Sequence, residues 1–320
     1  MKKVLITAIG SFSGKQVIQN LKTGGYKVIG CDIYPQEWIS NALRVDVFYQ
    51  APLATDKKYI EFIYNVCIEQ EIQYIVPLTD LEIDVLNKNR DIFRKHNIIL
   101  CISDKKSIET CRNKYALYQL FKEDESILTI PTYLFSEIEY EKLQFPIVVK
   151  PYDGRSSQGL SVLQNQEQVF NFGQYHDTSR YIVQPKIEGR IITVDVVRDK
   201  NNHEVAVCRR ELLRTLNGAG TSVQVFKNEK LERQAIRIAE ILNVIGTVNF
   251  EFIENKENEY FFLECNPRFS GGVAFSCIAG YDFVLNHMRC FQNENLEQHI
   301  MISEMYIARE YKECITKTIV

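Results

Sequence analysis

The sequence lacks a strong excess of either charge. Across 320 residues, 38 lysines and arginines stand against 41 aspartates and glutamates, which gives a formal net charge of −3. Proteins that coat nucleic acid or an anionic membrane carry a basic excess, so the sequence predicts neither partner. It also lacks any apolar run near the roughly 18 residues that span a bilayer. A local basic site for a phosphorylated small molecule is compatible with this balance.

Cysteine spacing argues against two further classes. The nine cysteines are odd in number and widely scattered, and none belongs to a Cys-x-x-Cys pair. This pattern indicates reduced thiols in a cytoplasmic protein, and neither a disulfide framework nor a zinc site. The first apolar run is too short for a strong signal peptide and predicts a first strand instead. The five histidines occur in no recognisable catalytic motif.

The length suggests about two domains, and the sequence pattern changes after the first hundred residues. Over residues 1–103, β-branched runs alternate with amphipathic segments, which predicts an α/β unit with a parallel sheet. Strands are predicted at 4–8, 26–31, 47–49, 74–77 and 98–101, with helices around 17–21, over 56–70 and over 82–94. Residues 105–123 are predicted to form two helices or one broken helix.

The second part of the chain is predicted to be α+β with mostly antiparallel strands. Strands are predicted at 145–150, 160–163, 181–184, 191–197 and 204–209, followed by an amphipathic helix at 229–242 and a hairpin of strands 246–253 and 260–264. Residues 208–221 are predicted to be a basic, glycine-containing loop, and residues 290–320 carry no recognisable motif.

The turn after the first strand is a candidate dinucleotide site. Ala8, Gly10 and Gly14 lie between a predicted strand and a predicted helix, and Asp32 ends the next strand. Glycines at such a turn let backbone N–H groups approach a pyrophosphate. The spacing departs from the dinucleotide fingerprint, and any tight strand-to-helix turn also favours small residues. The P-loop pattern is not met, since Gln16 stands where a serine or threonine would hold magnesium.

A lysine and a glycine-rich turn form a second candidate site. Lys150 ends a predicted strand, and residues 152–160 are rich in glycine and serine before the next strand begins. The backbone N–H groups of such a turn can fold over phosphate oxygens, and a lysine adds a positive charge. An ordinary hairpin is the alternative.

Five polar residues on and just after the predicted hairpin suit a metal and a phosphate. Strand alternation places Asn249 and Glu251 on one face, opposite Phe250 and Phe252. On the partner strand, Glu264 and Asn266 share a face that the hairpin brings beside Glu251, and Arg268 follows. Carboxylate and amide oxygens suit Mg²⁺, and arginine suits a phosphoryl group or a carboxylate. A solvated hairpin face is the alternative interpretation.

These segments together resemble the ATP-grasp superfamily. The likeness is to short enzymes similar to one half of the carbamoyl-phosphate synthase large subunit, and it covers nearly the whole chain. It implies a Rossmann-like N-terminal domain at 1–103 and an ATP-grasp domain at 104–320. The ATP-grasp domain would consist of a nucleotide-lid subdomain at about 115–187 and a metal and acceptor subdomain at about 188–320. The family's first domain binds no dinucleotide, which lowers that expectation.

The resemblance implies a role for individual residues. It assigns nucleotide phosphates to Lys114, Lys150, Gly154, Ser156, Ser157 and Gly159, and magnesium or manganese to Glu251, Glu264 and Asn266. It assigns catalysis to Arg268 and Lys150. The stretch from Pro77 to Glu82, with Asp80 between them, looks like the family's Pro-x-x-Asp-x-Glu turn at the end of a strand. Gly271 and Gly272 follow Arg268, as two glycines often do in the family.

The adenine-binding hinge departs from the family pattern. The expected contacts are Gln184, Pro185, Lys186, Ile187 and Glu188. Pro185 stands where the family usually has glutamate, and it offers no backbone N–H. Ile191 stands where an acidic residue often binds the ribose, and Glu188 is the expected substitute.

The resemblance implies ATP-dependent ligation of a carboxylate to an amine or a thiol through an acyl phosphate. Arg209, Arg214 and Arg268 are the candidate substrate residues, with exposed surface arginines as the alternative for the first two. The expected partners are small carboxylates and amines, and a homodimer is typical of such enzymes. Activation of bicarbonate or carbamate is the nearest alternative. An NAD(P)-dependent enzyme and an inactive nucleotide-binding regulator are weaker ones.

Overall fold

A computed structural model of the chain describes residues 1–155, 158–216 and 218–319. The first unit contains strands β1 (Lys3–Ile6), β2 (Lys27–Asp32), β3 (Val47–Gln50), β4 (Tyr74–Val76) and β5 (Ile99–Leu100), with helices α1 (Gly14–Thr23), α2 (Tyr59–Glu69), α3 (Asp80–Lys88) and α4 (Arg90–Arg94). These strands pair in parallel in the order β3-β2-β1-β4-β5. Short 3₁₀ turns occur at Gln36–Trp38 and Ser40–Leu43. A parallel sheet with crossover helices is what the alternating pattern predicted.

Two helices lead into a second, antiparallel sheet. Helices α5 (Lys105–Cys111) and α6 (Lys114–Phe121) are followed by β6 (Tyr133–Leu134), β7 (Ile147–Pro151), β8 (Ser161–Leu163), α7 (Gln166–Tyr175) and β9 (Tyr181–Pro185), with 3₁₀ turns at Phe135–Glu137 and Tyr140–Lys142. The strand order is β6-β9-β7-β8. The side chain of Asn113 caps α6 by accepting a hydrogen bond from the N–H of Ala116 at 3.0 Å. The break between α5 and α6 therefore has a local cause in the sequence.

The third sheet is the largest and is also antiparallel. It contains β10 (Arg190–Arg198), β11 (Glu204–Arg214), β12 (Gly220–Phe226), β13 (Gly246–Glu254), β14 (Tyr260–Asn266) and β15 (Met305–Ala308), with helices α8 (Glu229–Ile241), α9 (Val273–Ile278) and α10 (Phe283–Phe291). Its strand order is β14-β13-β10-β11-β12-β15.

The two faces of the third sheet differ in chemistry. One face buries Phe250 and Phe252 in an apolar cluster with Leu231 and Ile238 of α8. Alternation along the strands places Glu251, Glu264, Asn249 and Asn266 on the opposite face. The apolar face holds the sheet in place, so the polar face is free to carry chemistry.

The sequence missed or misplaced several elements. The predicted helix 82–94 is two helices, which meet at Asn89. The predicted loop 208–221 is mostly a hairpin, because β11 continues to Arg214 and β12 begins at Gly220. The elements not predicted are β6, α7, β12, α9, α10 and β15. The predicted boundaries at 103 and 187 fall between the sheets and stay predictions. None of the helices in the described ranges is long and apolar enough to cross a membrane.

Candidate functional site

The site is built around a pair of glutamates on the β13–β14 hairpin. Glu251 and Glu264 are directly opposite each other in the register, and Asn249 is opposite Asn266. The two carboxylate side chains are 18% and 23% exposed. Burial, and then the charge of Glu264, raise the pKa of Glu251. The pKa of Glu264 is lowered because the nearby charges of Lys114 and Lys150 outweigh its burial.

These donors fit a magnesium ion. Two partly buried carboxylates that face each other are stabilised by a cation between them, as the raised pKa of Glu251 indicates. The amide of Asn266 donates to Asn249 Oδ1 at 3.3 Å and to Glu264 Oε1 at 3.4 Å. Within the described residues, no group of three or more His, Cys, Asp and Glu side chains is placed to hold a metal. A metal here would therefore complete its shell with the Asn266 oxygen and with oxygens of its ligand.

Two lysines from the second part of the chain extend to the same place. Lys114 is the first residue of α6, and its Nζ lies 3.1 Å from Glu264 Oε2 and donates to Gly154 O at 2.8 Å. Lys150 lies on β7 and is 8% exposed. Burial, and then the charge of Lys114, lower the pKa of Lys150 to about 8. Two cations held this close, one of them buried, favour an anionic ligand.

Arg268 is held by an aspartate of the first unit. Its Nε and Nη2 each donate to one oxygen of Asp80 at 2.9 Å, which is a bidentate pair. Asp80 is the first residue of α3 and is buried. Burial raises the pKa of this carboxyl, but the charge and hydrogen bonds of Arg268, together with the charges of Arg112 and Lys114, outweigh burial and lower it. The pair therefore joins the first unit to the hairpin that carries Glu264.

The glycine-rich turn and the hinge lie in the second sheet. The carbonyl of Gly154 accepts from Lys114, and Gly159 has a positive φ of 72°, which favours glycine. Ser156 and Ser157 lie outside the described residues. In the hinge, the buried amide of Gln184 donates to Thr132 Oγ1 at 2.8 Å, and Pro185 is opposite Ile147.

The remaining hinge residues are already partly paired. The backbone N–H of Lys186 donates to Pro146 O at 3.0 Å, and its ammonium pairs with Glu188. Ile187 lies between them, and Glu188 itself is largely exposed. The adenine contacts therefore stay a prediction.

The two predicted substrate arginines differ sharply in their surroundings. Arg214 Nη2 lies 3.4 Å from both carboxylate oxygens of Glu251, and its Nε donates to Gly218 O at 2.8 Å. Arg209 is fully buried, pairs with Asp195 and donates to Ser270 Oγ at 3.0 Å. The structure therefore corrects the picture of Arg209 as a loop residue: it lies in the middle of β11, where its guanidinium orders its neighbours.

The comparison with known sequences decides the family. Residues 111–272, half of the chain, match the ATP-grasp domain, and residues 4–101 match the PylC-like N-terminal domain. The chain belongs to the ATP-grasp family. The resemblance inferred from the motifs and the predicted fold class are both confirmed.

Several relatives share this ATP-grasp fold. The chain is 24% identical over 305 residues to the carbamoyl phosphate synthase large chain of Thermoplasma acidophilum, with 84% of this chain and 27% of that protein covered. It therefore spans about a quarter of that relative's length. The biotin carboxylase domain of Hydrogenobacter thermophilus 2-oxoglutarate carboxylase, solved with MgADP, ADP and bicarbonate, has a TM-score of 0.79 at 18% identity, over 95% of this chain and 73% of that one. Staphylococcus aureus N5-carboxyaminoimidazole synthetase with ADP has a TM-score of 0.73 at 18% identity, over 92% and 78%.

The turn at Gly10 is tightly packed. The carboxylate of Asp32, which would face the ribose of a dinucleotide, accepts the N–H of Gly10 at 2.8 Å and that of Tyr34 at 3.2 Å. A Cβ at Gly14 would lie 2.0 Å from Ile9 O, so close packing of the turn explains that glycine. The alternative of a tight strand-to-helix turn fits this geometry.

Sequence reasoning gave no role to several residues around the ATP-grasp site. Asp80 was identified in a turn that resembles the family's. Its contact with Arg268 was not predicted, because the two residues are 188 positions apart in the sequence. Arg112, one residue before the Asn113 cap, pairs with Asp84 at 3.1 Å and lies 3.9 Å from Asp80. Glu211 and Arg309 were also missed. An acidic residue spaced two positions from Arg209 on a strand was the available signal for Glu211.

Proposed function

We propose that this chain is an ATP-dependent ligase that activates a small carboxylate as an acyl phosphate and transfers it to an amine or a thiol. One observation carries the proposal: the side chains of Lys114 and Lys150 lie close to the carboxylates of Glu251 and Glu264. Lys114 Nζ is 3.1 Å from Glu264, and Lys150 is buried beside them with a pKa lowered to about 8. Two cations next to a carboxylate pair suit a metal-bound polyphosphate.

Each group has a defined task in this proposal. Lys114 and Lys150 bind the nucleotide phosphates, and Gly154 and Gly159 belong to the turn that lies over them. Glu251, Glu264 and Asn266 would hold Mg²⁺, which neutralises phosphate charge when it is bound. The hinge from Gln184 to Glu188 is the proposed adenine site.

The chemistry requires orientation more than proton transfer. A substrate carboxylate oxygen attacks the γ-phosphorus of ATP, and ADP leaves. The acceptor nitrogen or sulfur then attacks the carbonyl carbon, and phosphate leaves. Arg268, fixed by Asp80 at 2.9 Å, and Arg214, beside Glu251, supply positive charge next to the reacting groups.

The test is nucleotide turnover with pooled substrates. ADP release from Mg-ATP is measured with pools of small carboxylates and amines, for the wild type and for Glu264→Ala, with the exposed Glu257→Ala as control. We expect turnover only with certain pools, retained in the control and lost in Glu264→Ala. A wild type that neither turns over nor binds Mg-ATP contradicts the proposal.

Bicarbonate is a second candidate for the activated carboxylate. The solved carboxylase domain with a similar fold contains bicarbonate, and the curated relative is a carbamoyl phosphate synthase large chain. ADP release that requires bicarbonate alone, with no further carboxylate, would select this candidate. Turnover in bicarbonate-depleted buffer with an organic carboxylate would exclude it.

A further inference from the structure

Three buried polar atoms without hydrogen-bond partners lie together on the polar face of the third sheet. They are Asp195 Oδ1, Arg209 Nε and Glu211 Oε2, a set found within the described residues. Arg209 pairs with Asp195, and its Nε is 4.0 Å from Glu211 Oε1. Buried polar atoms are normally satisfied, so this cluster has room in its hydrogen bonding for a polar ligand.

Glu211 Oε2 is a buried carboxylate oxygen that accepts no hydrogen bond within the described residues. Its side chain is 4% exposed. A Cβ on Gly220 would lie 1.9 Å from its Oε2, so a glycine at position 220 makes room for the carboxylate. A buried carboxylate without a donor is costly, and an ammonium group would satisfy it.

Two guanidinium groups near Glu211 make their hydrogen bonds with other residues. Arg209 makes its close contacts with Asp195, Ser270 and Ser276. Arg309, just beyond β15, donates to the carbonyls of Gly220 at 3.1 Å and Phe12 at 3.3 Å, and it also contacts Gly271 O. These arginines are held in place by other residues, and neither donates a hydrogen bond to Glu211 Oε2. That oxygen can therefore accept a hydrogen bond from another cation.

Glu211 lies on the same face of the third sheet as Glu251, because Glu251, Thr193 and Arg209 pair in one row across the strands and Glu211 is two residues beyond Arg209. Its charge contributes, after burial and Glu264, to the raised pKa of Glu251. Irregular pairing of β11 and β12 between Glu211 and Arg214 re-aims the following side chains, and Arg214 reaches Glu251 at 3.4 Å. Gly272, at the far side, is next to Arg209. A group held by Glu211 is therefore on the face of the sheet that carries Glu251 and Arg214.

We propose that Glu211 binds the ammonium group of the acceptor substrate, which makes that acceptor a primary amine rather than a thiol. This inference rests on the proposed ligase function. During transfer the amine nitrogen forms a bond to the carbonyl carbon, the bond from that carbon to the phosphate oxygen breaks, and phosphate leaves with the electron pair. The acceptor arrives as an ammonium group and ends as an amide nitrogen, so it loses two protons. One goes to the Glu211 carboxylate before the attack and frees the nitrogen lone pair, and the second leaves on the departing phosphate.

Two variants separate the charge of Glu211 from its position. Glu211→Gln keeps the shape and removes the charge. Gly220→Ala keeps the charge but puts a methyl group where the carboxylate lies. Glu257→Gln, in the exposed turn between β13 and β14, is the matched control. Circular dichroism and thermal melting verify that each variant is folded.

The assay compares two nucleophiles with the same carboxylate pool. One is a pool of primary amines. The other is hydroxylamine, which is largely uncharged near neutral pH and traps acyl phosphates as hydroxamates. For Glu211→Gln and Gly220→Ala we expect KM for the amine to rise about ten- to a hundredfold, the loss of one charge-assisted contact. KM for ATP and the hydroxamate yield should stay within about twofold of the wild type.

The outcomes separate this inference from the proposed function. Unchanged KM for the amine in both folded variants overturns the role of Glu211, and so does a wild type that uses a thiol pool in preference to amines. Parallel loss of hydroxamate and amide in both variants also overturns it, since the residue would then serve activation. A wild type that makes neither product refutes the ligase proposal itself.

Discussion

Replacement of Lys150 by methionine should stabilise the ligand-free protein while weakening nucleotide binding. The side chain is buried, and burial, followed by the charge of Lys114, lowers its pKa from 10.5 to about 8. A difference of this size corresponds to about 3 kcal/mol that the charged form costs the folded protein. Methionine has a similar length and carries no charge, so the variant should recover most of that free energy.

The sign of the effect fixes its pH dependence. Between about pH 8 and 10.5 the unfolded chain still binds the lysine proton and the folded chain has released it, so stability rises with pH over this interval. The destabilisation of the folded protein by charged Lys150 is therefore fully present below about pH 8 and absent above about pH 10.5. Lys150→Met should be more stable than the wild type at pH 7 and equally stable at the alkaline end.

Urea unfolding at several pH values measures this difference, with Lys106→Met on the exposed side of α5 as the control. The control should change the free energy of unfolding by less than about 0.5 kcal/mol. Affinity for Mg-ATP should fall about ten- to a hundredfold in Lys150→Met only. A variant that is less stable than the wild type at pH 7, or one that binds ATP equally well, would refute the reasoning.

Three further predictions concern the neighbouring contacts. Asp80→Asn removes the charge partner of Arg268 and should destabilise the protein by about 3 to 5 kcal/mol in urea unfolding, against little change for the exposed Asp91→Asn; equal effects would show that the pair is dispensable. Because the pKa of Glu251 is raised, Mg²⁺ affinity measured by calorimetry should increase as pH rises through that pKa, and Glu251→Gln should lose this dependence; an identical pH profile in the variant is the contrary result. Gly14→Ala places a Cβ 2.0 Å from Ile9 O and should cost several kcal/mol of stability, whereas Gly173→Ala in α7, whose Cβ would lie 3.3 Å from the Phe135 ring, should cost far less.

The hairpin shows what sequence alone could predict. Alternation placed Glu251 and Glu264 on one face, and the register pairs them directly. The apolar residues that alternate with them along the strands, such as Phe250, fixed that face because they had to be buried. The strand-and-helix alternation of the first unit was also readable, since it depends on local periodicity.

The rest depends on contacts between distant parts of the chain. The Asp80–Arg268 pair, the burial of Arg209 and the three carbonyl contacts of Arg309 each join separate elements. No local pattern encodes such contacts. The hairpin of β11 and β12 was mistaken for a loop because its glycines favour irregular structure locally, whereas pairing with β10 and β15 extends both strands.

The central claim is that Lys114 and Lys150 form one nucleotide site with Glu251 and Glu264. Calorimetric titration of ATP into the wild type, with Mg²⁺ and with EDTA, and into Glu264→Gln with Mg²⁺, tests it most directly. The account predicts saturable binding to the wild type with Mg²⁺, and binding at least about tenfold weaker with EDTA or in the variant. Absence of binding to the wild type with Mg²⁺, or equal affinity under all three conditions, would contradict it.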